Sequence, residues 1–218
     1  MLEIGGERVV GHAHLATPAA GAGPGVLVLH AWWGLTPFFK QVADRLAAEG
    51  YYVLAPDLYA GQTATTIEEA TQLRDATDDD RTYKLITESV EYLRSLEGAT
   101  GDGIGVVGFS MGGWWALSLE DHIRAVVTFY GAGVDPENIT AEAAYQGHFA
   151  EDDEFEPLES VKQLEEGLRA RGKEVEMHIY PSARHWFFEK DRPEYDPEAA
   201  KVAWERTCAF LARHLQAR

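Results

Sequence analysis

The first pattern with clear chemical meaning is a serine between small residues, in the run Gly108-Phe109-Ser110-Met111-Gly112, which matches G-x-S-x-G. A buried-strand pattern ends just before this run and a helical pattern starts within it. A sharp strand-to-helix turn has no room for side chains two residues either side of the serine, and it raises the hydroxyl above the carboxyl edge of a sheet. The run therefore predicts Ser110 as a nucleophile, with the Met111 N–H as an oxyanion donor. A glycine-rich turn with an incidental serine is the alternative.

A serine nucleophile needs a general base, and in this type of site the base follows an acidic residue that itself follows the serine. The histidines that we consider downstream of Ser110 and outside the last predicted helix are His122, His148 and His185. Only His185 follows the penultimate predicted strand in a short loop, so we predict it as the base. A surface or packing histidine is the alternative.

The acid that orients this base should follow the strand predicted over 145–150, where Glu151, Asp152, Asp153 and Glu154 stand in succession. Residue type favours aspartate, because a shorter side chain loses less conformational freedom when it holds an imidazole. It does not separate Asp152 from Asp153. Asp135 also preserves the chain order, but choosing it leaves the acidic run 151–154 unexplained.

Other polar groups favour structural roles. His12 and His14 would share a strand face, but two imidazoles without a third ligand do not make a metal site. The acidic run 78–80 lacks the alternating spacing of a calcium loop and is better placed to cap a helix. Cys208 sits on the inner face of the last predicted helix. We therefore expect no metal, no cofactor and no reactive thiol.

The rest of the chain alternates strand and helix patterns, which is typical of an α/β sheet covered by helices on both faces. The predicted strands cover 26–30, 51–55, 103–107, 124–130, 145–150 and 174–180. The predicted helices run from a Thr36 cap to Gly50, from the acidic run 78–80 to Leu96, over 112–119, over 157–171, and onward from an Asp196 cap. The polar stretch 61–80 gives no clear pattern before its acidic end.

Composition limits the function classes. The 218 residues are enough for one domain, the formal net charge is −17, and there is a single cysteine. Such a charge opposes binding to nucleic acid or to an anionic membrane, and one cysteine excludes an internal disulfide framework. The segment 1–10 lacks a signal-peptide pattern, and no apolar run is long enough to cross a membrane. These features favour a cytoplasmic protein that is a monomer or a small homo-oligomer.

Five segments together resemble the dienelactone hydrolases of the α/β-hydrolase superfamily. They are 26–34 (VLVLHAWWG), 55–60 (APDLYA), 108–113 (GFSMGG), 147–155 (GHFAEDDEF) and 180–187 (YPSARHWF). The resemblance covers nearly the whole chain and implies an α/β-hydrolase fold with a mostly parallel sheet and no separate lid domain. It selects Asp153 as the acid of a triad with Ser110 and His185. It also implies the backbone N–H of Trp32 as the second oxyanion donor, opposite Met111.

The chain departs from the family pattern at three positions. Ser110 stands where the best-known members have cysteine, Ala31 replaces a glutamate that holds the resting thiol, and Glu189 replaces a basic residue that helps to bind a substrate carboxylate. Within 63–76, Arg74 is the one available cation. The first two changes agree with each other, because a serine leaves no thiolate to restrain. The third change argues against an anionic dienelactone as the substrate. Arg184, Lys190 and Arg192 are nevertheless close enough in sequence to bind a substrate carboxylate in place of the missing basic residue.

These features lead to one main hypothesis, a serine hydrolase that cleaves small carboxylic esters or lactones through an acyl-enzyme. Its pocket would be lined by aromatic residues near the catalytic turns, namely Trp33, Phe38, Trp186 and Phe188, with Trp32 beside them; ordinary core packing is the alternative. His30 either orients the Trp32 turn or is simply a hydrogen-bonded histidine at a strand end. An acyltransferase or perhydrolase with the same triad, and a non-catalytic binding protein on the same fold, are the competing functions.

Overall fold

The computed structural model describes residues 2–4 and 11–215, and the chain divides into two compact units, Met1–Ile104 and Gly105–Arg218. Most of the segment 1–10, in which we saw no signal-peptide pattern, lies outside the described residues. The expectation of a single domain stays a prediction.

The first unit is a sheet with helices packed on it. Its strands are β1 (Leu2–Ile4), β2 (Gly11–Ala16), β3 (Gly23–Leu29) and β4 (Tyr52–Pro56), and its helices are α1 (Pro37–Ala48), α2 (Ile67–Asp75) and α3 (Asp79–Ser95). The strand order is β1-β2-β4-β3. Strand β2 pairs antiparallel with β1 and β4, whereas β3 and β4 pair parallel with Val26 opposite Val53. The two predicted strands of this unit are confirmed as β3 and β4.

Helix α1 follows the prediction except at its start. Pro37 is its first residue, and Phe39, Val42 and Leu46 are buried on one face, as their helical spacing indicates. Thr36 occupies the N-cap position as predicted. Its side chain makes no capping hydrogen bond, however, so the predicted capping role of that side chain is wrong. The Thr36 side chain is buried, which leaves the start of the helix to the fixed φ of Pro37.

The polar stretch 61–80 contains a helix that we did not predict. The Thr66 side chain accepts a hydrogen bond from the Glu69 N–H, and the Glu69 carboxylate accepts one from the Thr66 N–H, which completes a capping box at the start of α2. The T-x-x-E spacing was the available signal. Asp78 caps α3 by accepting from the Arg81 N–H, so the capping role expected of the acidic run is confirmed.

The second unit also consists of strands and helices. Its elements are the end of β5 (Ala99–Phe109), α4 (Met111–Leu117), β6 (Ile123–Phe129), β7 (Ala144–Asp152), α5 (Leu158–Ala170), β8 (Val175–Arg184) and α6 (Pro197–Leu215). The strand order is β5-β6-β7-β8, with β6, β7 and β8 parallel to one another. A short 3-10 turn at Pro136–Asn138, which we did not predict, follows β6. Every element predicted here is present, so the α/β class with parallel strands is confirmed.

Strands β7 and β8 run further than predicted, to Asp152 and Arg184. Their pairing is irregular between Ala150 and Asp152, where Asp152 comes to lie opposite Arg184. The carboxyl ends of parallel strands meet at one edge of a sheet, so the residues that follow β7 and β8 are brought together there. Helix α6 starts at the predicted Asp196 cap, whose Oδ1 accepts from the Ala199 N–H, and Cys208 is half-buried on it.

Candidate active site

Ser110 is the single residue between β5 and α4, and its backbone is strained. Its φ of 51° and ψ of −113° lie where residues other than glycine are uncommon. The Ser110 N–H donates to the Phe129 carbonyl at 2.8 Å, and the Ser110 carbonyl accepts from the Trp114 N–H at 3.0 Å. These bonds fix the turn to β6 on one side and to α4 on the other. Strain held in this way is typical of functional positions.

The glycines around Ser110 are required by close backbone contacts. A Cβ on Gly108 would lie 2.2 Å from the Gly112 carbonyl oxygen, and a Cβ on Gly113 would lie 2.3 Å from the Thr128 Oγ1. Thr128 is itself buried and donates to the Gly131 carbonyl at 2.6 Å. The reason for small residues in the predicted turn is therefore contact between α4 and the strands β5 and β6.

Replacing Gly108 with alanine is expected to destabilise the fold by about 3 kcal/mol, because the clash is with backbone that cannot move aside. Urea unfolding measures this change. Gly133→Ala is the matched control, since the nearest atom to its Cβ would be 4.0 Å away, on Glu156. Equal stability of the Gly108 and Gly133 variants would contradict the close packing of the turn.

Ser110, His185 and Asp153 form one hydrogen-bonded line. The Ser110 Oγ lies 3.0 Å from the His185 Nε2, and the His185 Nδ1 lies 2.7 Å from Asp153 Oδ2 and 2.9 Å from Oδ1. The His185 side chain is 5% exposed and that of Asp153 is 1% exposed. With Nδ1–H donating to the carboxylate, Nε2 accepts from the serine hydroxyl, which is the arrangement of a general base beside its nucleophile.

The structure distinguishes among the four acidic candidates. Asp153 is turned inward, and its Oδ1 also accepts from the N–H groups of Phe155 and Glu156 at 2.9 Å each. Asp152 is 74% exposed and lies 3.5 Å from the Arg184 side chain. Among the described residues, Asp153 is the one of the four whose carboxylate is hydrogen-bonded to the His185 Nδ1, and its role as the acid stays a prediction.

Glu156 is a site residue that the sequence did not point to. Its carboxylate accepts from the Ala132 N–H at 2.7 Å and so ties the loop after β7 to the loop after β6. Burial raises the pKa of Glu156, and the nearby Asp153 carboxylate also raises it. The hydrogen bond from the Ala132 backbone N–H has the opposite effect and lowers it. Glu156 thus supports the loop that presents Asp153.

Comparison with known proteins places this geometry in a family. The model of the dienelactone hydrolase family matches residues 12–215. The chain belongs to the dienelactone hydrolase family. It is 34% identical to "Protein usf" of Aquifex pyrophilus, with 99% of this chain and 98% of that protein covered. It is 31% identical to the carboxymethylenebutenolidase of Pseudomonas sp. (strain P51), with 92% and 89% covered.

The solved structures agree on the fold. A dienelactone hydrolase-like promiscuous phosphotriesterase, P91 from metagenomic libraries, superimposes with a TM-score of 0.85 at 19% identity and covers 99% of this chain and 97% of its own. The α/β-hydrolase-like fold that the resemblance implied, with its mostly parallel sheet and helices, is confirmed.

His185 faces a small cleft in this dienelactone hydrolase family member. The cleft has a volume of about 300 Å³ and, besides His185, is lined by Asp152, Glu154, Phe155, Arg184, Trp186 and Glu194. Phe155 is 42% exposed, and its ring centroid lies 5.0 Å from that of His185. Sequence reasoning did not select Phe155. The lining contains three carboxylates against one cation, and that cation is already close to Asp152.

Two of the predicted pocket aromatics lie in the second unit. Trp186 lines the cleft and contacts His185 edge-on, with ring centroids 5.0 Å apart. Phe188 is buried against Phe109, Phe129 and Trp204. Trp186 thus borders the cleft and is 5% exposed, whereas Phe188 lies in packed core; the pocket role of both stays a prediction.

Trp32, Trp33 and Phe38 lie in the first unit. Trp32 and Trp33 contact each other edge-on at 5.5 Å, in a tight turn closed by the Gly34 N–H donating to the Ala31 carbonyl. Trp33 and Phe38 are both buried. The oxyanion role of the Trp32 N–H stays a prediction from the resemblance, and the pocket roles of Trp33 and Phe38 stay predictions from their residue type and their place near the catalytic turns.

His30 is a hydrogen-bonded histidine at the end of β3. Its Nδ1–H donates to the Ala31 carbonyl at 2.7 Å, and its Nε2 accepts from the Leu58 N–H at 3.1 Å. Burial lowers the pKa of His30, so the ring is neutral and both nitrogens are used. His30 therefore links the Trp32 turn to the loop after β4.

The remaining polar candidates have other surroundings. His14 bonds to Asp44 at 2.7 Å on the surface of the first unit, and Arg74 pairs with Asp79. The alternative base His148 is a buried residue of β7, and burial lowers its pKa well below the usual range. Within residues 2–4 and 11–215, no group of three or more metal-ligating side chains could hold an ion. None of the helices described there is long and apolar enough to cross a bilayer.

Proposed function

We propose that this member of the dienelactone hydrolase family is a serine hydrolase that cleaves small carboxylic esters or lactones. The observation that carries the proposal is the line from Ser110 Oγ through His185 to Asp153, with contacts of 3.0 and 2.7 Å. A serine in a strained turn, bonded to an imidazole that is itself bonded to a buried carboxylate, has the chemistry of acyl transfer. The carboxymethylenebutenolidase relative supports lactones as one class of substrate.

The reaction would proceed in two halves. The Ser110 Oγ attacks the substrate carbonyl carbon while the His185 Nε2 takes the hydroxyl proton, and Asp153 stabilises the imidazolium that forms. The imidazolium then gives this proton to the leaving alcohol oxygen as its bond to the carbonyl breaks, which leaves an ester on Ser110. Water repeats the sequence: His185 takes a proton from water, and the Ser110 oxygen leaves with that proton as the acid is released.

The developing oxyanion requires donors, and α4 supplies one candidate. Met111 directly follows Ser110 at the start of this helix, and the backbone N–H of the residue after the nucleophile is one of the oxyanion donors at this type of turn. We assign the Met111 N–H as an oxyanion donor. Trp32 is proposed as the second donor on the family resemblance alone.

A panel of p-nitrophenyl esters and small lactones, followed by product analysis, tests the proposed function. We expect the free acid as the main product, even when methanol or hydrogen peroxide competes with water. Predominant methyl ester or peracid would contradict hydrolysis and indicate an acyltransferase or a perhydrolase. No turnover of any ester or lactone would favour a non-catalytic protein.

The charge around the site predicts a preference for neutral substrates. p-Nitrophenyl butyrate and p-nitrophenyl hemisuccinate carry acyl chains of equal length, but only the second has a carboxylate. We expect kcat/KM to be about tenfold lower for the hemisuccinate, because the chain carries a charge of −17 and the cleft beside His185 is lined with carboxylates.

The salt dependence of kcat/KM distinguishes charge repulsion of the hemisuccinate from a poor steric fit. Raising the salt from about 10 mM to about 1 M screens charge repulsion and should raise kcat/KM for the hemisuccinate while leaving the butyrate nearly unchanged. A decrease for the hemisuccinate would show attraction instead and would indicate that a cation, such as Arg184, binds the carboxylate.

A further inference from the structure

Tyr130 and Glu189 form a buried pair beside His185 that the proposed reaction does not use. The Tyr130 hydroxyl donates to Glu189 Oε1 at 2.8 Å, and each residue is 1% exposed. The Tyr130 ring lies against the His185 ring, with centroids 4.8 Å apart. Glu189 thus contacts a residue that itself contacts the proposed catalytic imidazole. A carboxyl group buried at this position needs a physical explanation.

Tyr130 is held rigidly by the sheet. It directly follows β6 and has a φ of 43°, which is unfavourable for a residue with a side chain. Its N–H donates to the His148 carbonyl of β7 at 2.8 Å, and its ring also contacts Phe187 edge-on. A strained conformation persists only where surrounding contacts determine it, so the ring of Tyr130 is a fixed surface.

Glu189 belongs to the loop that carries His185. Its N–H donates to the Trp186 carbonyl at 2.8 Å, and Trp186 has a φ of 66°, so the chain turns sharply just after His185. The Phe187 carbonyl accepts from the Asp196 N–H at 2.9 Å, which ties the same loop to the start of α6. The Glu189 side chain then reaches back to Tyr130 and closes the loop onto the end of β6.

The imidazole is held by hydrogen bonds and by contacts with neighbouring rings. Its two nitrogens are fixed in the ring plane by Ser110 and Asp153. The His185 ring also contacts the rings of Tyr130 at 4.8 Å, Phe155 at 5.0 Å and Trp186 at 5.0 Å between centroids. Tyr130 is more constrained than Phe155, because Tyr130 is buried and its hydroxyl is hydrogen-bonded, whereas Phe155 is 42% exposed.

The hydrogen bond between Tyr130 and Glu189 does not require a charged carboxylate. Burial raises the pKa of Glu189 to about 8, so the carboxyl is protonated at neutral pH and can be replaced by an amide of the same shape. The ionisable groups around the pair are Asp153 after β7, His185 after β8, and Asp191, Arg192 and Glu194 on the loop itself.

We propose that Tyr130 and Glu189 are positioning residues, whose hydrogen bond holds the Tyr130 ring against His185 and keeps Nε2 in line with the Ser110 hydroxyl. This inference rests on the proposed function, since it assigns a role relative to the proposed base. A small displacement of a general base lowers the rate of the chemical step more than it alters binding.

The test compares Tyr130→Phe, Glu189→Ala and Glu189→Gln. We expect the first two to lower kcat about tenfold with KM changed less than about twofold, and Glu189→Gln to keep kcat within about threefold of wild type at neutral pH. Because the two residues act as a unit, the variant with both Tyr130→Phe and Glu189→Ala should be no slower than the slower single variant. Glu205→Ala, which removes an exposed glutamate on α6, is the matched control.

Titration of active sites with a fluorophosphonate normalises each rate to folded, competent enzyme, so loss of folded protein does not lower the measured kcat. Unchanged kcat in both Tyr130→Phe and Glu189→Ala would overturn the inference, as would equal loss in Glu189→Gln and Glu189→Ala. Absence of labelling and turnover in the wild-type protein is a different result and would refute the proposed function itself.

Discussion

Replacing Ser110 with alanine is expected to lower kcat for p-nitrophenyl acetate by about 10⁵-fold, because no other group can form the acyl-enzyme. This loss corresponds to about 7 kcal/mol of transition-state stabilisation. The His185 imidazole would remain bonded to Asp153 and could at best activate water for direct attack. Initial rates measured with enzyme in excess give the residual activity.

The fold should tolerate this change. The Ser110 side chain is half-buried and its hydroxyl bonds only to His185 among the described residues, so unfolding by urea should occur at nearly the wild-type midpoint. Ser118→Ala is the matched control, since Ser118 ends the same helix and bonds to the Trp114 carbonyl. Comparable activity in the Ser110 and Ser118 variants would contradict a serine nucleophile.

Replacing Asp153 with asparagine is expected to lower kcat by about 10⁴-fold, or about 5.5 kcal/mol. Asp153 Oδ1 already accepts two backbone N–H groups, so the amide oxygen of asparagine would take that position and its NH₂ would face the His185 Nδ1. The imidazole would then carry its proton on Nε2, where it cannot accept the proton of Ser110. Steady-state kinetics at neutral pH measures the loss.

Asp152→Asn provides the matched control for this prediction. Asp152 is the preceding residue and has the same side chain, but it is exposed beside Arg184. We expect the Asp152 variant to retain kcat within about threefold, because exposed ion pairs contribute little. The opposite result, an inactive Asp152 variant and an active Asp153 variant, would refute the assignment of the acid.

The elements that carry the site were predictable because their signals are local. The buried run before Ser110, the alternating run before His185 and the glycines around Ser110 indicate strands and a tight turn directly. Chain order then selects His185, since an α/β sheet brings the loops after its parallel strands to one edge. Residue type could not separate Asp152 from Asp153, because which of two adjacent side chains faces inward depends on the irregular pairing at the end of β7.

What the sequence did not show depends on contacts between distant residues. In the sequence, Glu189 was notable only because it replaces the basic residue of the family pattern. Its hydrogen bond with Tyr130 joins residues 59 positions apart. Glu156 lies just after the acidic run 151–154, and its hydrogen bond to the Ala132 N–H joins residues 24 positions apart. Thr36 has the residue type of a cap, yet packing buries its side chain without a capping bond. Helix α2 is different, because its capping box was visible as Thr66 and Glu69 in an otherwise polar stretch.

The central claim is that Ser110 is an activated nucleophile, and intact-mass measurement after treatment with a fluorophosphonate tests it most directly. We expect one phosphonyl adduct per chain, formed with loss of fluoride, located on the peptide that contains Ser110 and absent from the Ser110→Ala variant. An unlabelled wild-type protein, or a label that persists in the Ser110→Ala variant, would contradict it.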